Sequence, residues 1–186
     1  ISNWAPPGVA LLPADRGREG VLAPMTVGEN IALSSLGSLG TRGRLSGRKM
    51  ADFVNTWIGK MTITTSSPDA KVTTLSGGNQ QKVMLGRVLA VEPKVLVMCE
   101  PTAGVDVGAR QAIYELVAEQ VRNGLSVVVA SSDVSDLEAL CTRVIVLHQG
   151  RVVGELEGDR VNEADLLHAM EGSLALAGAV GTKEAE

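Results

Sequence analysis

The sequence predicts an α/β domain with a mainly parallel sheet flanked by helices, and three observations carry that prediction. Apolar runs without polar alternation recur at Val95–Cys99 and Ser126–Ala130, the pattern of strands covered on both faces. Between them, residues 108–122 place Ile113, Leu116, Val117 and Val121 on one helical stripe. A further helix and strand follow, and this alternation is that of parallel strands joined by crossover helices. The 186 residues suit one domain. Aromatic residues make up 2% of the chain, so the core must be built from Val, Leu, Ile, Met and Ala.

Composition narrows the function classes. A formal net charge of -4 gives no general pull toward nucleic acid or anionic lipid. Cys99 and Cys141 do not make a disulfide framework, which points to a reducing compartment. No apolar run approaches the ~18 residues of a membrane-spanning helix. The opening Ile1-Ser2-Asn3-Trp4-Ala5-Pro6-Pro7 lacks the charged start and apolar stretch of a secretory signal. The chain also opens without Met, and the expectation is a piece of a longer polypeptide.

The elements follow in order. Gly8–Leu12 reads as a short strand stopped by Pro13, and the loop from Ala14 to Gly20 carries Asp15, Arg16, Arg18 and Glu19. Thr26-Val27-Gly28-Glu29 has capping-box spacing. Residues 36–49 read as a flexible connection, and its basic cluster Arg42, Arg44, Arg48 and Lys49 as a solvated one, because no aromatics interleave to stack bases. Met50–Met61 is expected to be a helix with Phe53, Trp57 and Met61 on its core face. Ser135-Asp136-Leu137-Glu138 reads as a second capping box opening a helix to about Cys141. Val144–Leu147, the turn His148–Arg151 and Val152-Val153 predict a third strand and a hairpin, and Asn162 starts a last helix through Met170. His148 and His168 read as solvated or capping histidines. The expected organisation is one domain over 1–172, with a helical part about 30–80, and a flexible tail over 173–186.

Two segments carry chemistry. In Leu75-Ser76-Gly77-Gly78-Asn79-Gln80-Gln81-Lys82, paired glycines allow close backbone approach and a helix follows at once. The helix start offers N–H groups and partial positive charge to an anion, with the Ser76 hydroxyl and Asn79 amide beside them. In Met98-Cys99-Glu100-Pro101-Thr102-Ala103-Gly104-Val105-Asp106, Glu100 follows an apolar strand directly. Ligands of open α/β sheets gather at that carboxyl edge, and a carboxylate there can orient a water toward a phosphoryl group.

Together these segments resemble the signature and the Walker B strand with its D-loop in ABC ATPases. Asn79-Gln80-Gln81-Lys82-Val83 is similar to the variant found in ATPases of bacterial ribose-type sugar importers. Pro13-Ala14-Asp15-Arg16 and Met25-Thr26-Val27-Gly28-Glu29-Asn30-Ile31 resemble the Q-loop region of the second nucleotide-binding half of such tandem ATPases. The resemblance runs from about Gly8 to Gly172. It implies an ATP sandwich in which Ser76, Gly77, Gly78, Asn79 and Gln80 contact ATP bound on another half, with Asp106 in the D-loop and Glu100 as candidate base.

Departures from the family pattern shape the expectation further. Gly-x-x-x-x-Gly-Lys-Ser/Thr, the Walker A loop, does not occur: the one Gly-Lys pair, Gly59-Lys60, has Val54 and Met61 where Gly and Ser/Thr belong. Cys99 stands at the metal-supporting Asp position, and a thiol is a soft ligand for hard Mg²⁺. Ala14 holds the Q-loop Gln or Glu position and Ser132 the switch His position. No metal site is expected from these residues.

The resemblance implies a partial ATPase subunit of a sugar-type importer on the cytoplasmic face of the bacterial membrane. Its partners would be a Walker A-bearing half, permease subunits met by the Ala14–Pro24 loop and the Met50–Met61 helix, and indirectly a sugar-binding protein, with no nucleic acid. ATP and Mg²⁺ would belong to the assembled complex, and the isolated chain is expected to be inactive. Two alternatives stay open: a soluble ABC-type lobe from DNA repair or translation, and a degenerate non-catalytic dimerisation module.

Overall fold

The computed structural model describes residues 6–41 and 44–171, which fall into two compact units dividing between Ala130 and Ser131. In the first unit, β1 (Val9–Leu12) leads through a π-helical turn (Arg16–Gly20) to α1 (Val27–Ala32) and α2 (Leu36–Leu39). A ribbon of β2 (Gly40–Thr41) and β3 (Arg44–Leu45) precedes α3 (Gly47–Lys60). Then come α4 (Gly77–Leu89), β4 (Val95–Cys99), α5 (Val107–Arg122) and β5 (Ser126–Ala130).

The parallel sheet has the order β1-β4-β5. Leu12 pairs with Met98 and Met98 with Val129, so β1 and β4 release their following loops at a common edge. Against the expectation of strands covered on both faces, β4 alternates buried Leu96 and Met98 with half-buried neighbours. β5 alternates further, with Val128 55% exposed. Composition gives the apolar run, whereas the exposure of β5 follows from which elements pack on its faces.

The helix α4 is the centre of the unit. Gly78, Gln81 and every residue from Val83 to Leu89 are buried, as a helix surrounded by others requires. It contacts α1, α3, α5 and β1. A smaller cluster of Ala32, Leu39 and Val54 lies among α1, α2 and α3. Gly28 and Val27 donate to the carbonyls of Pro68 and Ala70 at 2.8 and 2.9 Å, tying the segment before α4 back to α1.

Several local expectations are corrected. Residues 36–49 hold α2, the ribbon and the first turn of α3, which Ser46 caps by accepting from the Lys49 N–H at 3.4 Å. Arg42 lies outside the described residues; Arg48 and Lys49 are exposed. On α3 the deepest side chain is Val54 rather than Phe53 or Trp57, whose rings tilt against each other at 6.3 Å and stay half-buried; Met61 is buried as expected.

In the second unit, α6 (Val134–Leu140) starts earlier than the Ser135 spacing implies, because the Asp133 carboxylate accepts from the Ser135 N–H at 2.9 Å. Asp133, two residues upstream, thereby takes the capping role from Ser135. β6 (Arg143–His148) and β7 (Arg151–Glu157) form an antiparallel hairpin and their own two-stranded sheet, not a further strand of the parallel one. Its turn uses Gln149 and Gly150 with φ 47° and 75°, the left-handed pair that matches strand twist. A last helix α7 covers 163–171, with the Asn162 side chain accepting from Asp165 N–H at 3.0 Å. The expected tail, 173–186, lies outside the described residues. Among the described residues no helix is long and apolar enough to cross a membrane.

Candidate functional site

The candidate site is built around the start of α4. Ser76 is its N-cap in extended backbone, with Oγ accepting from the Asn79 backbone N–H at 3.4 Å and from Asn79 Nδ2 at 3.0 Å. Asn79 Oδ1 accepts from the Thr64 N–H at 2.8 Å, and Lys82 Nζ donates to the carbonyl and hydroxyl of Thr62. Gln80 Nε2 donates to the Leu75 carbonyl at 3.1 Å. Asn79 and Gln80 thus hold the loop to its own surroundings, while Ser76 is exposed and Gly77 half-exposed at the surface. The leading N–H groups of a helix lack intrahelical acceptors, so this end can receive an anion.

The two glycines are needed by packing inside the chain. A Cβ at Gly77 would lie 3.0 Å from Arg16 Nη2 and 3.0 Å from the Gly104 carbonyl oxygen, and one at Gly78 would collide with Ala109 Cβ on α5. The same hypothetical Cβ at Gly78 is 3.8 Å from Asp106 Oδ2. The structure therefore brings Ser76, Gly77 and Gly78 together with the 103–106 segment, two sequence-predicted pieces that meet on one surface. Asp106 is the N-cap of α5, accepting from the Ala109 N–H at 2.9 Å, and it is exposed.

Glu100 stands one residue beyond β4, half-buried, with φ 45°. Its N–H donates to the Ala130 carbonyl at 2.8 Å and its carbonyl accepts from the Ala103 N–H at 3.2 Å. A left-handed conformation at a residue with a Cβ costs about 1–3 kcal/mol and persists where the surroundings impose it. Here the strand pairing on one side and the 100–103 turn on the other impose it. Cys99 ends β4 opposite Ala130, and Ala14 is exposed two residues past β1. Ser132 belongs to the second unit, where it is exposed. Exposed Ser76 and the helix start beside it offer donors that an anion from outside the chain can reach. At the sheet edge Cys99 contributes a thiol, a soft donor for a hard cation such as Mg²⁺, and Ala14 a methyl with no donor atom.

Three supporting residues carry no role in the sequence reading. Buried Gln81 donates from Nε2 to the Pro101 carbonyl at 2.7 Å, joining α4 to the segment after Glu100. A polar residue on an otherwise apolar helix face was the signal available for it. Arg87, 8% exposed, donates to the Gly20 carbonyl, and burial pushes its pKa below the ordinary guanidinium value. Arg16 donates to the Ala103 and Gly104 carbonyls at 3.3 and 3.5 Å.

Comparison with known proteins places this geometry. A family model described as ABC transporter matches residues 7–103. A ribose import ATP-binding protein of Geobacillus kaustophilus is 40% identical over 165 residues, 89% of this chain and 33% of that protein. A xylose import ATP-binding protein of Photobacterium profundum is 40% identical over 160 residues, 86% of this chain and 32% of that protein. The chain spans about a third of the length of these curated relatives. Among solved structures, the dimeric ATP-binding cassette MJ0796 in a post-hydrolysis state with ADP and Pi superposes with a TM-score of 0.68 at 24% identity, covering 80% of this chain and 62% of that one. The cassette MJ1267 gives 0.69 at 22% identity, covering 87% and 68%. Those two likenesses show the fold.

Proposed function

The chain belongs to the ABC transporter family, and from that premise we propose that it is part of the ATP-binding component of a sugar-type import system, lending its α4 start to ATP seated on a partner half. The observation that carries this reading is the shared surface of exposed Ser76, half-exposed Gly77 and exposed Asp106 beside the 103–104 turn. The start of the thirteen-residue helix α4, with its serine cap, supplies donors and a favourable dipole to a phosphate. The chain's own contribution is to hold those donors still: Asn79, Lys82 and Gln81 fasten α4 to Thr64, Thr62 and Pro101 before any nucleotide arrives.

ATP and Mg²⁺ are supplied in the assembled complex, with phosphate cradle and metal support on the partner half. Permease subunits, and through them a sugar-binding protein, complete the assembly at the cytoplasmic face of the membrane. Glu100 has the position of a base at the end of β4, but without metal support at Cys99 it is assigned no step. The relatives named for ribose and xylose import support the sugar class and leave the particular sugar open.

The test is complementation. The chain is combined with a Walker A-bearing half and phosphate release is measured with Mg-ATP. Ser76→Arg fills the surface with a long side chain and is expected to reduce the partner-dependent release to background. Unchanged release in that variant would remove the trans contact.

A further inference from the structure

We propose that Arg16 is a positioning residue, whose guanidinium locks the Ala103–Gly104 turn and the start of α4 to the loop after β1 so that displacement of that loop is passed to both. This rests on the reading above for its consequence in catalysis; the junction itself belongs to this chain alone. The loop, the turn and the helix start meet at one point. Arg16 Nη1 reaches the Ala103 carbonyl at 3.3 Å and Nη2 the Gly104 carbonyl at 3.5 Å. At Gly77 a methyl would sit 3.0 Å from both Nη2 and the Gly104 oxygen, a tight fit that one of them would have to ease. Gly104 itself has φ +65°, presenting its carbonyl in a way few other residues allow.

The turn that carries Arg16 is fastened at both ends. Asp15 Oδ1 accepts from the N–H groups of Gly17 and Arg18 at 3.0 and 2.9 Å, closing the turn from within. At its far end Gly20 packs on Met84 with no room for a Cβ, and buried Arg87 donates to the Gly20 carbonyl. One end is therefore seated in the middle of α4, the other bound by Arg16 to the residues flanking the helix start. The Arg16 contacts are long and partly exposed, whereas the Gly20 end is buried. A fork is required because two successive carbonyls are bound at once; a lysine ammonium is a point charge on a flexible stem.

The experiment compares Arg16→Ala and Arg16→Lys. In ¹⁵N-labelled whole chain, Arg16→Ala is expected to move the amide resonances of Gly77, Gly78, Ala103 and Gly104 while Gly124 and Gly150 stay in place, and Arg16→Lys to move them less. Changes confined to residues 15–18 overturn the junction. If Arg16→Ala disturbs Gly124 and Gly150 as well, Arg16→Lys is judged by the same resonances. In the assembled ATPase, Arg16→Ala is expected to lower kcat by up to about a hundredfold with KM for ATP unchanged, the mark of misplacement rather than lost binding. A rise in KM at unchanged kcat overturns the coupling. Should Ser76→Arg prove silent while the Arg16 variants still move Gly77 and Gly104, the trans contact fails and the junction stands.

Discussion

At Gly78 a single hydrogen atom separates α4 from α5: the position a methyl would take is already occupied by Ala109 Cβ. Gly78→Ala should therefore destabilise the chain by about 1–3 kcal/mol through overpacking, seen as a lower urea midpoint. Adding Ala109→Gly should return part of the loss, despite the helix-propensity cost of that glycine of up to about 1 kcal/mol. A double variant no more stable than Gly78→Ala would show that Ala109 is not the obstacle. The paired glycines and Glu100 stand out in the bare sequence because residue type and spacing are local information. Their reasons are not local. Gly78 answers to a helix thirty residues away, and Glu100 takes a left-handed φ of 45° imposed by its pairing with Ala130.

Among the elements, α1 is the one whose start followed its sequence signal most closely. Thr26 Oγ1 accepts from the Glu29 N–H at 3.1 Å, and Glu29 Oε2 accepts from the Thr26 N–H at 2.8 Å. That backbone donor, then the Thr26 hydroxyl, holds the Glu29 carboxyl below its ordinary value of 4.5. A carboxyl depressed in the folded state stabilises above its unfolded value and loses that contribution as pH falls through the folded one. The difference in melting temperature between the native chain and Glu29→Ala should thus be full near neutrality and shrink below about pH 4.5. A difference constant into more acid conditions would exclude the charged form of the box. At α6 the same spacing misled, since Asp133 two residues upstream caps first. β5 reads as a covered strand by composition, yet Val128 is 55% exposed, because hydropathy does not say which elements pack on a strand's faces.

For the whole molecule, the pattern Gly-x-x-x-x-Gly-Lys-Ser/Thr is missing from all 186 residues, and with it the backbone cradle and lysine that this motif supplies to a triphosphate. Purified alone, it should release no phosphate above background from Mg-ATP, and radiolabelled nucleotide should fail to saturate it at micromolar concentration. Saturable micromolar binding would show that some other surface grips the nucleotide. The chain spans about a third of its curated relatives, and the proposed activity belongs to an assembly in which another half provides that grip.

Residue types along the chain were enough to identify the family and to single out the glycine-rich start of α4, the acidic end of β4 and the unusual residues at Ala14, Cys99 and Ser132, since each is a matter of identity and short-range order. Folding alone settled which groups meet. Gln81 finds Pro101 across 20 residues and Arg16 finds Ala103 across 87. Separations of that size leave no periodicity in the sequence, because the contact is made by the packing of strands and helices around α4 and by nothing between the two residues themselves.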